Sequence, residues 1–324
     1  MSNTETSPAE VVCAATAGSG VEVLAPRAVP LGGPRAMTVR RTLPQRGRSM
    51  IGAWCFADHY GPDDVSSTGG MDVAPHPHTG LQTASWLFSG GIEHRDSHGV
   101  HAVVRPGELN LMTGGRGICH SEVSLPGTSV LHGVQLWIAL PAAHRDAPRD
   151  FQHHRPDPVR LPGATARVFL GTLAGHTSPV RAFTPLLGAE LVLEPGAALE
   201  LPVDPVHEHG VLVDRGEVEL AGVRLSRAEL GYTAPQVGTL RLTNPGGSPA
   251  RVMVLGGEPF GEQIVMWWNF VARDHEEIVR YRDEWQAGTD RFGQVAGYPG
   301  ARLPAPPLPR GRLRPRGNPP LPGR

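Results

Sequence analysis

Short apolar runs separated by glycine and proline turns fill most of this chain. Trp86-Leu87-Phe88 runs into Gly90-Gly91, and Ile92-Glu93-His94-Arg95-Asp96 follows. Residues 100–104 lead to Pro106-Gly107, and Leu109-Asn110-Leu111-Met112 runs into Gly114-Gly115. Runs of this length, closed by turn residues, predict β-hairpins closing into a small barrel. The mostly apolar stretch from Val134 to Leu140 predicts a buried strand. The second half repeats the pattern: Val211 to Asp214, then Gly216-Glu217-Val218-Glu219, parallels Leu87 to Glu93, and matching Gly216 to Gly90 sets an offset of 126. A period this long implies a duplicated pair of domains, not a solenoid.

The pattern changes character only near the C-terminus. Asp274 with Glu277 three residues on forms a capping-box arrangement, Ile278, Tyr281 and Trp285 recur at helical spacing, and Gly288 supplies a stop. A helix over 274–287 is predicted. Residues 1–20 are polar and unpatterned, so a disordered lead is expected, and a Pro/Arg-rich tail over 301–324 is expected to be disordered as well. Between them, 21–145 is read as the first domain and 146–300 as the second. The proline- and histidine-rich residues 142–162 are read as a linker whose His144, His153 and His154 lie in a surface loop. Arg40-Arg41 is read as a solvated strand edge, and Trp267-Trp268 as packing beside the helix.

Composition narrows the function classes. A length of 324 residues suits two domains of ordinary size. The 30 basic residues, all arginine, nearly cancel 31 acidic ones, so there is no electrostatic footprint for nucleic acid or an anionic membrane. Cys13, Cys55 and Cys119 form no disulfide framework, no apolar run approaches a membrane span of about 18 residues, and the N-terminus shows no signal-peptide pattern. A soluble, reducing, cytoplasmic setting and a monomer are expected.

The candidate chemistry lies between His76 and Glu122. Residues two apart on a strand share a face, so His76 pairs with His78 and His120 with Glu122. Two facing strands can then present three imidazoles and one carboxylate to a single point. That donor set suits Fe, Mn, Ni, Zn or Cu better than Ca or Mg. Alternation turns Cys119 to the opposite side. In the second half the offset places Pro202 and Asp204 opposite His76 and His78. His207-Glu208-His209 falls five residues out of that register, so a metal-free second barrel is expected. Four protein ligands on a six-coordinate ion leave two positions open, and Glu122 can stay bound or swing off as a general base.

These residues carry a resemblance. The order HxH, apolar strand, glycine turn, Pro-Gly turn, histidine resembles a cupin. Pro75-His76-Pro77-His78-Thr79-Gly80, Ile92-Glu93-His94-Arg95-Asp96-Ser97 and Gly115-Arg116-Gly117-Ile118-Cys119-His120-Ser121-Glu122 resemble the pirin family, from about residue 35 to 300. The resemblance implies an all-β bicupin, two cupin-type barrels with a C-terminal α-helix. It implies one divalent metal, Fe(II) before Mn, Ni, Cu or Zn, on His76, His78, His120 and Glu122. Gln82 stands where cupins place a ligating glutamate and pirins commonly a non-ligating one, a departure expected to bear on hydrogen bonding around the ion. The implied activity is a quercetin 2,3-dioxygenase acting on a small phenolic substrate and dioxygen, with Glu122 as catalytic base. The alternative is a non-catalytic, redox- or metal-dependent regulator that binds a transcription factor or a metabolic enzyme.

Overall fold

The computed structural model describes residues 14–15, 20–30 and 37–318. Most of the 1–20 lead and residues 319–324 of the tail lie outside the described residues. The described chain is all-β with one α-helix, arranged as two barrels.

In the first barrel a seven-stranded sheet runs in the order Asp150–His154, Leu109–Thr113, Leu81–Ser89, Val130–Ala139, Trp54–Asp64, Thr38–Leu43, Arg27–Pro30. A four-stranded sheet closes it, in the order Asp72–His78, Ile118–Ser124, Ile92–Asp96, His101–Val104. Alternation sorts the side chains. Leu87 packs inside with Tyr60, Val73, Ile92 and Val104, whereas Ala84, Trp86 and Phe88 face the second barrel. The second barrel repeats this layout. Leu186–Leu193, Glu208–Arg215, Leu230–Thr233 and Ala250–Gly257 lie in its large sheet, and Ala198–Pro202, Thr239–Thr243, Val218–Leu220 and Val223–Leu225 form its small one. Aliphatic side chains such as Val211, Val213, Leu220 and Leu242 fill its interior.

The two barrels share chain as well as surface. Val21–Leu24 pairs with Leu230–Thr233 of the second barrel before Arg27–Pro30 joins the first. Residues 142–162, expected as a linker, instead supply edge strands to both: Asp150–His154 pairs with Leu109–Thr113, and Val159–Leu161 with Ala164–Leu170. His153 accordingly bonds Asn110 at 2.6 Å rather than sitting in a loop. Between the sheets, Trp54 Nε1 donates to the carbonyls of Leu187 and Gly256, both at 3.2 Å, and Trp86 Nε1 donates to Glu190 at 2.7 Å. Buried indoles keep their N–H satisfied while contributing large apolar area.

Two further expectations are corrected. Arg41 is not a solvated edge residue: it is buried, makes two 2.7 Å bonds to Asp58, and lies over the Phe56 ring. The Pro/Arg-rich tail is not free through residue 318. Leu303 N donates to the Pro75 carbonyl, Ala305 is buried, and Asn318 bonds the backbone of Ser49 and Met50. Composition gave no hint of this, because the order comes from hydrogen bonds to remote backbone. The helix runs His275–Ala287, with the Asp274 side chain accepting from Glu277 N and Gly288 left-handed at its end.

A buried polar joint crosses the interface. Asp214 of the second barrel takes His59 Nε2 at 2.7 Å and His132 Nε2 at 2.5 Å from the first, and Arg251 Nε at 2.6 Å from its own. Arg40 can only donate to His59 Nδ1, at 3.4 Å, so His59 is neutral with its Nε2–H on the carboxylate. Burial holds His59 below its usual value of 6.5, outweighing the pull of Asp214. The flanking imidazoles and Arg251 hold Asp214 below its usual 3.8 despite burial. Both shifts have the same sign for stability. The neutral imidazole is favoured above pH 6.5 and loses that advantage as pH falls. The Asp214 contribution is present above the ordinary carboxylate range and drains below it. Replacing Asp214 with Asn should cost about 3–5 kcal/mol in urea unfolding at pH 7, because it strips a buried charge from its partners. Below about pH 4 the wild-type midpoint should fall more steeply than that of the variant.

Candidate metal centre

His76 and His78 end the strand Asp72–His78, and His120 lies directly across from His76 on Ile118–Ser124. All three are wholly buried. Their rings pack with centroids 5.1, 4.4 and 4.9 Å apart, and their ligand atoms lie within 4.8 Å of one another.

The outward nitrogens fix the tautomers. His76 Nδ1 meets the Ala74 carbonyl at 2.9 Å and His78 Nδ1 the Asn269 carbonyl at 3.2 Å. A carbonyl only accepts, so each Nδ1 carries the hydrogen and each Nε2 of the neutral ring turns a lone pair inward. His78 and His120 Nε2 face each other at 3.1 Å, and His76 Nε2 has no hydrogen-bond partner. Burial drives all three imidazoles well below 6.5, with their mutual repulsion and that of His94 adding for His78 and His120. Three buried, unprotonated nitrogens aimed at one point are poorly satisfied by protein alone; a cation of the nitrogen-binding class fits them.

Glu122 shares the strand of His120 and is buried, but its oxygens are not in that mutually close group. A bulge between His120 and Glu122 shifts the register against Asp72–His78, so Glu122 pairs with Val73. Burial pushes the Tyr60 hydroxyl well above its usual range, and the Glu122 and Asp58 carboxylates add to it. Cys119 points to the other side, its Sγ donating to the Gly293 carbonyl at 3.5 Å. Gln82 does not face the imidazoles: it shares the strand face of Ala84 and Trp86, with its Nε2 on Thr113 at 3.0 Å.

Three supporting residues were not singled out from sequence. His120 Nδ1 is 3.3 Å from His94 Nδ1, and His94 Nε2 is 3.0 Å from Asp96, making a relay from ring to ring to carboxylate. Their alternate spacing inside the quoted His94-Arg95-Asp96 run was the available signal. Asn269 had none: it arrives from 191 residues beyond His78, in the turn of a hairpin, Val265–Trp267 with Phe270–Ala272. That hairpin covers the barrel mouth. Val271 N donates to the Thr79 carbonyl at 3.0 Å, and Gly80, at φ +66, lies so close to the Val271 carbonyl that a Cβ would sit 2.4 Å from it. Below it, Phe56 stacks on Trp137 at 4.1 Å, and Trp137 meets His78 edge-on at 5.2 Å.

Among the described residues, His59, His132 and Asp214 form the other group with convergent ligand atoms. Arg40 and Arg251 bond that cluster directly, which opposes a second cation there. In the second barrel, Pro202 and Asp204, the expected counterparts of His76 and His78, are exposed, and the inward-facing residues of the paired strands Ala198–Pro202 and Thr239–Thr243 are Leu199, Leu201, Leu240 and Leu242.

Residues 36–138 match the pirin family and residues 188–293 the pirin C-terminal cupin domain. A Pseudomonas aeruginosa protein, provisionally named a quercetin 2,3-dioxygenase, is 46% identical over 286 residues, covering 87% of this chain and 89% of its own. A crystal structure of a quercetin 2,3-dioxygenase from Acinetobacter baumannii superposes with a TM-score of 0.85 at 37% identity, over 90% of this chain and 97% of that one. The Escherichia coli pirin YhhW, solved with nickel(II), shares the fold at 17% identity and a TM-score of 0.57, over 74% of this chain and 99% of its own. Two matched domains, the duplicated barrels and the inward-facing histidines agree: this chain belongs to the pirin family of bicupins.

Proposed function

We propose that His76, His78, His120 and Glu122 hold one mononuclear metal ion, Fe(II) in first place, and that the protein is a dioxygenase of the quercetin 2,3-dioxygenase type. The observation that carries the reading is the convergence of three buried Nε2 atoms whose Nδ1 atoms are already committed to other partners. The names of the Pseudomonas and Acinetobacter relatives support the substrate class. The nickel(II) in the E. coli relative supports a divalent ion without deciding which.

When bound, the ion supplies Lewis acidity and a redox-active centre for dioxygen. The chain supplies the rest. Glu122 would complete the ligand set, or swing off it to accept the proton of the enol hydroxyl as general base. The His94–Asp96 relay fixes the orientation and basicity of His120. The Phe56–Trp137 stack and the hairpin at Trp267–Phe270 exclude water from the barrel mouth. Ring cleavage of a flavonol by dioxygen then releases carbon monoxide.

Elemental analysis of protein purified without added metal should find about one transition-metal ion per chain, and His76→Ala or His120→Ala should lower it at least about tenfold. Iron-loaded protein should take up oxygen and release carbon monoxide with quercetin, and Glu122→Gln should lower kcat by about a hundredfold or more. Asp96→Asn should cost about 10–100-fold in metal affinity or activity. No oxygen uptake across a flavonol panel with iron, manganese, nickel or copper would overturn the dioxygenase reading.

A further inference from the structure

His76, His78 and His120 have no exposed surface, so a substrate reaches them only if some part of the first barrel moves. Its large sheet lies against the second barrel through Ala84, Trp86 and Phe88, and Tyr60, Val73, Leu87 and Ile92 fill the end away from the mouth. The mouth is closed by Phe56 and Trp137 and by the hairpin Val265–Trp267 with Phe270–Ala272, whose Val271 packs with them. That hairpin is an added piece: it forms a two-stranded sheet of its own. It is tied to the barrel by Val271 N on the Thr79 carbonyl at 3.0 Å and by its Asn269 carbonyl on His78 at 3.2 Å. At its turn, Trp268 has φ +53, a left-handed conformation that a bulky side chain adopts only under strain. Such strain persists where surrounding contacts hold it in place.

The C-terminal tail supplies an outer set of such contacts. Ile264, which leads into the hairpin and packs with Phe56 and Trp137, exchanges two backbone bonds with Arg316, at 2.8 and 2.9 Å. Two residues on, the Asn318 side chain accepts from Ser49 N at 3.0 Å and Met50 N at 2.9 Å. It also donates to the Met50 carbonyl at 2.9 Å and to Glu208 of the second barrel at 3.4 Å. Leu308 and Leu313 of the tail and Trp267 and Trp268 of the hairpin pack on one cluster around Phe270 and Tyr281. The tail lies beyond residue 293, where the match to the pirin C-terminal domain ends.

We propose that this hairpin is a lid over the metal centre and that the tail, fastened at Asn318, is the latch that holds it shut. The inference rests on the metal reading given above. Opening releases the Asn269 carbonyl from His78 and carries the half-exposed Trp267 and Trp268 off the mouth, which uncovers the ligand set. The latch is built for reversible release. Arg316 is exposed and Asn318 half-buried, and contacts of that kind open at lower cost than core strands. The same event loosens a ligand, because His78 loses the carbonyl that fixes its tautomer.

The test is hydrogen–deuterium exchange of the full chain, paired with release of zinc, loaded as a probe ion, to a chelator. Asn318→Ala removes the side-chain bonds of the latch, and Arg316→Pro independently removes the N–H given to Ile264. Each variant should speed exchange at least tenfold in residues 303–318 and in 264–272 together. Exchange in the core strand Val130–Ala139 should stay unchanged, which separates latch release from general unfolding. Zinc release should accelerate at least tenfold in both variants, with the same stoichiometry at equilibrium. Faster exchange in the tail alone, with the hairpin as protected as in the wild type, would overturn the latch. Faster hairpin exchange with an unchanged zinc release rate would overturn the lid. If no zinc binds, the metal reading has failed, and the exchange of the two segments decides the latch by itself.

Discussion

Three imidazole rings buried with their lone pairs toward one another are the constraint around which the first barrel is arranged. Neutral nitrogens at 3.1 Å gain nothing from each other without a proton or a cation between them. They are held there because every outward nitrogen is tied: His76 to its own strand, His78 to a carbonyl of the distant hairpin, His120 through His94 to Asp96. Freed of these anchors, the rings could turn their lone pairs elsewhere. The site is therefore maintained by its surroundings, in the manner usual for metal-binding histidines.

That requirement explains why the chain returns to the first barrel after completing the second. A hairpin, the helix His275–Ala287 and an extended tail follow the last strand of the second barrel and lie over the first. Their apolar side chains, Phe270, Tyr281, Trp285 and Phe292, pack with Cys119 on the outer face of the ligand-bearing strand. Removing water there lowers the local dielectric and keeps the imidazoles neutral, so the packing shell and the proton state of the site have one cause. No helix among the described residues is long and apolar enough to cross a membrane.

Duplication let the two barrels take different chemistry on one scaffold. The first concentrates nitrogen and oxygen donors behind an aromatic plug. The second fills its centre with aliphatic side chains. Between them, Asp214 gathers partners from both barrels, so the interface is specified by buried hydrogen bonds as well as by apolar area. Such a joint adds orientation more than net stability, since the cost of desolvating the charge offsets much of the attraction.

Alternation along a strand is a local rule, and it made much of this protein legible from sequence. It put His76 with His78, turned Cys119 away from His120, and separated hairpins from the single helix with its Asp274 cap and Gly288 stop. Where pairing slips, sequence lost its hold: two steps from His120 to Glu122 face three along Asp72–His78, and no pattern announces that slip. Long-range partners were invisible for a different reason. Asn269 on His78, Asp214 on His59, Arg41 on Asp58 and the tail on Pro75 depend on which surfaces meet after folding.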